Sequence, residues 1–149
     1  MNISQINHQL LEISPAAILL MHRSGEIAYG NTKAESILGL PIDEILGQKY
    51  KSEKWEITAF DGSTFPENKL PLYQVLTANE SVFDIEHAIV RSDGSKVFLS
   101  VNAAVISNDH NEIEGAILTL EDISSKVLST SALIQSEKRR IDLLENLTD

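Results

Sequence analysis

The residue pattern predicts an α+β fold: a five-stranded antiparallel sheet with short helices on one face, flanked by N- and C-terminal helices. Three observations carry that prediction. Near the front, "AAILLMHRSGEIAYGN" sets two apolar runs around Arg23-Ser24-Gly25-Glu26, the form of a tight hairpin. Between residues 32 and 79 the apolar spacing is helical and is broken by Gly and Pro into short pieces. From Ser81 onward the period changes to two. "SVFDIEHAIV", "KVFLSVNAAVI" and "IEGAILTLED" are joined by "RSDGS" and "SNDHNE", both rich in turn formers. Strands are expected near 17–22, 26–30, 82–91, 96–106 and 113–121. The helical segment must then cross the sheet, which leaves a space between sheet and helices where small ligands are commonly held.

The elements follow in order. Ile3, Ile6, Leu10 and Ile13 form a narrow helical stripe, and Ser14-Pro15 ends it, because the residue before proline is pushed out of the helical region. Asn31 or Thr32 caps the next helix. Thr32 with Glu35 has capping-box form, Ala34, Ile37 and Leu38 make the buried face, and Gly39 ends it. "PIDEILG" is one more short helical unit. Residues 48–70 read as irregular and carry the only tryptophan, Trp55. Pro71 opens a helix with Leu72, Val75 and Leu76 on one face. In the third strand, period two puts Phe83, Ile85, His87 and Ile89 on one face, with Asp84 and Glu86 opposite. After "EDIS" a polar helix begins. Val127, Ile134 and Ile141 recur every seven residues, but Thr130 and Glu137 are polar where a coiled coil wants apolar side chains, until Leu144. Such a helix needs a partner to be ordered.

The totals exclude several functions. Of the 149 residues, 42% are hydrophobic and 23% charged, the composition of one domain with a real core. A formal net charge of −10 argues against binding nucleic acid or anionic lipid. Zero cysteines exclude disulfides, thiolate metal sites and any photochemistry that forms a bond to a cysteine. "AAILLM", the longest apolar run, is far short of the ~20 residues of a membrane span. "MNISQINHQ" lacks the form of a signal peptide, so the address read from the sequence is cytoplasmic. No phosphate loop, nucleophile elbow or His-Glu-x-x-His occurs, and His8, His22, His87 and His110 have no metal-ligand spacing. The chain reads as a non-enzyme with no metal site.

At this point the residues resemble a known family. "SGEIAYGNTKAESILGLPIDEILGQ" is similar to the opening of a PAS domain, with a strand ending in Asn31, a short helix and the Leu38-Gly39 pair. "IVRSDGSKVFLSVNAAVISNDHNEIEGAILTLEDIS" resembles the family's last three strands, with an Asp93-Gly94 hairpin, a Gly115-Ala116 pair and a closing Asp122-Ile123-Ser124. "W…DGSTFPENKLPL" resembles one subgroup. The resemblance implies a flanking helix at 1–13, a PAS sensor domain at 14–125 and a linker helix at 126–149. There "SEKRRIDLLENLTD" looks like the start of a second PAS domain. It also implies a sensory module that senses a small molecule or mediates dimerisation. The module would relay its state through its C-terminal helix to an output domain of the same parent chain, a histidine kinase or a cyclic-dinucleotide enzyme. The alternative is a ligand-free dimerisation module.

The expected ligand pocket is walled by His87, Ile89, Leu99, Val101 and Leu118 from the strands, with Trp55 and Leu72 from the helical side and Asn31 at a strand end. His87 is the informative member, since a polar group in an apolar space must find a partner in protein, water or ligand. The ligand itself stays unassigned. Haem-binding relatives carry their axial histidine on the helix that here reads "PLYQVLTAN", which has none, and a cysteinyl-flavin adduct has no cysteine to form on. Asp122, Ile123 and Ser124 are the expected relay, with Asp122 either a local cap or a charge partner. Ile3, Ile6, Leu10 and Ile13 are expected to pack across the two-fold axis of a homodimer, because isolated helices below ~12–15 residues are marginal in water.

Overall fold

A computed structural model of the chain describes residues 8–147. In chain order these form α1 (His8–Ile13), β1 (Ala17–His22), β2 (Ile27–Gly30), α2 (Thr32–Leu38), α3 (Ile42–Ile45), β3 (Trp55–Thr58), a 3₁₀ turn (Glu67–Lys69), α4 (Pro71–Ala78), β4 (Val82–Arg91), β5 (Lys96–Ser107), β6 (Ile113–Asp122) and α5 (Ser124–Leu147). The strands make one sheet in the order β2-β1-β6-β5-β4-β3, antiparallel throughout. The sheet therefore has six strands, one more than the sequence pattern predicts. The added strand, β3, lies at an edge and pairs Trp55 with Arg91 through to Thr58 with Ala88. It has only four residues, and its burial does not alternate along "WEIT", so period two is invisible there.

One face of the sheet and the helices α2, α3 and α4 enclose the main core. Leu19, Met21, Ile89, Leu99, Val101, Leu118 and Leu120 come from the strands, and Leu38, Ile45 and Val75 from the helices. At ~1.5–3 kcal/mol for each fully buried aliphatic side chain, this layer dominates the stability. Leu99 and Val101 are wholly buried in it, as period two requires of the inward row. On the opposite face a smaller cluster of Leu11, Ile18, Leu20 and Ile106 lies under α1.

Gly39 ends α2 in the left-handed region at φ 73°. A Cβ there would sit 2.8 Å from Cδ of Arg91. The closeness has a cause: the Arg91 guanidinium donates from Nε to the Ile37 carbonyl at 2.8 Å and from Nη2 to that of Ser36 at 3.2 Å. The last carbonyls of α2 are thus capped from β4.

One expectation about the strands needs correction. Phe83 does not share a face with His87 and is 70% exposed. A bulge between Val82 and Ile85, with Asp84 at φ 55°, adds a residue and puts Val82, not Phe83, against Ala103. In α1 the side chain turned onto the sheet is Leu11, while Leu10 and Ile13 of the predicted stripe are 63% and 77% exposed. Ile3 and Ile6 lie outside the described residues.

Candidate functional site

His87 lies on β4, opposite Leu99 of β5, and has no exposed surface. Its Nε2 is 2.8 Å from the Tyr50 hydroxyl, and its Nδ1 is 3.3 Å from the Ala88 carbonyl. The tautomer that satisfies both carries its proton on Nδ1, so Tyr50 donates to Nε2. Burial disfavours the imidazolium and pulls the His87 pKa down to about 4, and burial pushes the Tyr50 phenol up. Trp55 Nε1 donates to the Tyr50 carbonyl at 2.6 Å, and Phe65 sets its ring edge-on to the imidazole at a centroid distance of 5.4 Å. The arrangement is a sealed neutral pair, held by aromatic rings.

Tyr50 is in place because "QKYKSEK" touches β2's approach at a single bridge and then bends at Tyr50 and Lys51. Lys49 bridges to Glu26, Tyr50 turns inward, and Lys49 and Lys51 turn out. Nothing in local periodicity marks Tyr50 as the partner of a residue 37 positions away.

The other predicted pocket residues divide. His87, Ile89, Leu99, Val101, Leu118 and Trp55 are all buried, the apolar ones in one cluster, and Leu72 packs against it half-buried. Trp55 comes from the edge strand β3 and not from the helical side. Among the described residues, clefts of 390, 600, 310 and 520 Å³ open at the surface. None of these four is lined by His87, Ile89, Leu99, Val101 or Leu118.

Asn31 does not join this group. Its Oδ1 accepts from the Ile18 N–H at 3.0 Å and the Ala34 N–H at 3.1 Å. Its Nδ2 donates to the Leu11 and Ala16 carbonyls at 2.9 and 3.0 Å. The full capacity of the amide is in use on backbone groups, so Asn31 joins α1, β1 and the start of α2 and has nothing left for a ligand. It, and not Thr32, is the N-cap of α2. Thr32 Oγ1 instead donates to Glu12 Oε2 at 2.8 Å, and Tyr29 donates to Glu12 Oε1 at 3.1 Å, which holds α1 on the sheet a second time.

At the far end of the sheet, Asp122 Oδ1 accepts from the Ser124 N–H at 2.9 Å, a local turn cap. Ser124 Oγ accepts from the Phe98 N–H at 3.0 Å, and the Ile123 N–H donates to the Phe98 carbonyl at 2.8 Å. Both main-chain groups of Phe98 on β5 are thereby given to the start of α5. Beyond this junction α5 stands free. Leu128, Leu133, Ile134, Ile141, Leu143 and Leu144 are 49–65% exposed.

Residues 15–125 match the sequence profile described as PAS domain. The chain belongs to the PAS domain family. This PAS domain is 24% identical over 133 residues to the signal transduction histidine-protein kinase AtoS of Escherichia coli (strain K12), a match covering 89% of this chain and 20% of that one. The chain thus spans about a fifth of the length of that relative. Among solved structures it resembles the PAS domain of a protein from Colwellia psychrerythraea, with TM-score 0.63, 15% identity, and 83% and 99% of the two chains covered. An RNA-binding light-oxygen-voltage receptor superposes with TM-score 0.67 and 17% identity over 91% of this chain and 37% of that one. At these identities the likeness is one of fold. No helix among the described residues is long and apolar enough to cross a membrane.

Proposed function

We propose that this PAS domain is a signalling relay that works as a homodimer and passes the state of its core to an output domain of its parent chain through α5. The observation that carries this reading is the junction. Phe98 is bonded on both main-chain sides to Ile123 and Ser124, so a shift of β5 along the sheet must move the first turn of α5. β5 also pairs with β4 beside His87, which puts the buried Tyr50–His87 pair one strand away from the helix that leaves the domain. A helix of 24 residues with an exposed apolar row gains stability when a second copy covers that row. Ile134 and Ile141 lie on that exposed row, half-buried Val127 continues its seven-residue spacing towards the sheet, and Leu10 and Ile13 of α1 add exposed apolar surface. The likeness to a histidine-protein kinase supports a kinase as the output. Sedimentation velocity tests the dimer. The chain is expected to sediment as a dimer at micromolar concentration, and Ile134→Glu/Ile141→Glu as a folded monomer. A chain already monomeric at high micromolar concentration would end this reading.

What enters the core is the second question, and the geometry favours two answers. The closed Tyr50–His87 pair and the continuous cluster of buried apolar side chains around it support a module that dimerises without an internal ligand. Sensing of a small molecule then requires a site reached from outside. Native mass spectrometry of protein purified from its own host separates these, since only a ligand adds mass to the dimer.

A further inference from the structure

The 310 Å³ cleft lies between the β1–β2 turn, the segment after β2 and α4. Its floor is apolar: Leu70, Leu72 and Leu76, with the Tyr50 ring at its inner wall. Its rim is basic. Arg23, Lys49 and Lys51 all line it, and Glu67 is the one carboxylate among its lining residues. None of the three cations makes an ion pair or side-chain hydrogen bond among the described residues. In a chain of net charge −10 with only 12 Lys and Arg, three cations without an ion pair around one apolar cleft, against Glu67 in its lining and Glu26 across the strand from Lys49, leave a local excess of positive charge. The excess follows from the fold: the inward turn of Tyr50 forces its neighbours Lys49 and Lys51 to the rim, and the β1–β2 turn brings Arg23 across to them.

We propose that this cleft binds a small organic anion, a carboxylate on a short apolar body, with the body on Leu70, Leu72 and Leu76 and the carboxylate between Arg23, Lys49 and Lys51. The volume lies at the small end of the range for ligand pockets, which suits a body of a few carbons. Neutral small molecules would leave the three cations unpaired, and cations would be repelled. The site has a built-in route inward. Tyr50 walls the cleft, and its hydroxyl is the group that satisfies His87 of β4, so a molecule that displaces the Tyr50 ring disturbs the buried pair. The inference deepens the sensing reading given above, and its test is a binding measurement that stands whether or not α5 carries an output.

The test is a titration of the isotopically labelled 149-residue chain with hexanoate, followed by amide and imidazole NMR signals. Saturable shifts are expected at residues 23–25, 49–51 and 70–76, with a shift of the His87 ring signals. Hexanol and hexylamine should bind at least about tenfold more weakly, and Lys49→Glu/Lys51→Glu should weaken hexanoate by about tenfold while leaving the spectrum of the rest of the chain in place. Added salt should weaken hexanoate and leave hexanol unchanged. Equal binding of hexanoate and hexanol, or saturation elsewhere, would overturn the proposal. Shifts of the same amides on simple dilution, with none on hexanoate, would assign the cleft to a contact between copies and overturn it too.

Discussion

Acid should loosen this domain through His87. The buried imidazole holds a pKa of about 4, against an ordinary value of 6.5 in the unfolded chain. Between those two values the unfolded chain binds more protons than the folded one, so stability is full above pH 6.5 and falls as pH drops towards 4. Worked through from pH 7 to pH 4.5, the loss is about 2 kcal/mol from this one group. Glu12, Asp61 and Asp93 are shifted the other way, their carboxyls held low chiefly by hydrogen bonds from Thr32, Ser63 and Ser95. Their contribution is present above the ordinary carboxylate range and is lost at lower pH, as they protonate. The control is Tyr50→Phe/His87→Phe, which removes both partners together and leaves no orphaned polar atom, a change that can be nearly neutral at pH 7. Tyr50→Phe alone strands Nε2 and should cost about 1–3 kcal/mol at pH 7. Urea unfolding followed by Trp55 fluorescence reports both, because Trp55 is the sole tryptophan and donates to the Tyr50 carbonyl. Equal loss of stability in wild type and double variant between pH 7 and 4.5 would mean that His87 is not the group through which acid loosens the fold.

Three further perturbations follow from single contacts. Asn31→Ala takes the side-chain partner from the Ile18 N–H and from the Leu11 and Ala16 carbonyls, while the Ala34 N–H keeps its bond to the Asn31 carbonyl, and should destabilise the fold by about 2–4 kcal/mol in urea, with Asn31→Asp nearly as costly because a carboxylate cannot donate to Leu11 and Ala16. A cost below about 1 kcal/mol would contradict the bonding described. Gly39→Ala combines a left-handed backbone with a clash on Arg91 and should lower stability by about 1–2 kcal/mol in thermal unfolding, whereas a neutral effect would mean that Arg91 moves freely away. Ser124→Ala should speed amide exchange at Phe98 and through the first turn of α5, at a cost of about 1 kcal/mol. Unchanged exchange at Phe98 would remove the serine from the junction.

The sheet was legible in the sequence where its strands are long and half-buried. Period two in β4, β5 and β6 marks Ile89, Leu99, Val101 and Leu118 as inward, and all four are buried. Period two fails where the backbone changes step, at the Asp84 bulge that throws Phe83 outward, and where a strand is too short to repeat, as in β3. In α1 the sequence marks the exposed row, Leu10 and Ile13, but not the residue that anchors the helix on its own sheet. Adjacent Leu10 and Leu11 both fit helical spacing, and the pair is resolved only by the sheet beneath, where Ile18, Leu20 and Ile106 receive Leu11. For the site, His87 was visible as a polar side chain on an apolar row, but Tyr50 was not, because pairing across 37 residues leaves no local period. Asn31 was legible as a cap and illegible as a latch, since its other partners belong to residues 11, 16 and 18.

Pairing of α5 with its mate, on which the proposed relay depends, is open to disulfide scanning along that helix. The chain has no cysteine of its own, so each substitution introduces a single thiol. Cross-links need Cα atoms within roughly 7 Å, which only facing seam positions of two parallel helices provide. Under mild oxidation Val127→Cys, Ile134→Cys and Ile141→Cys should each form a dimer within the folded protein, with Ser131→Cys and Lys138→Cys cross-linking far more slowly. A scan with no seven-residue period, or with no dimer at any position, would mean that α5 does not pair with its mate.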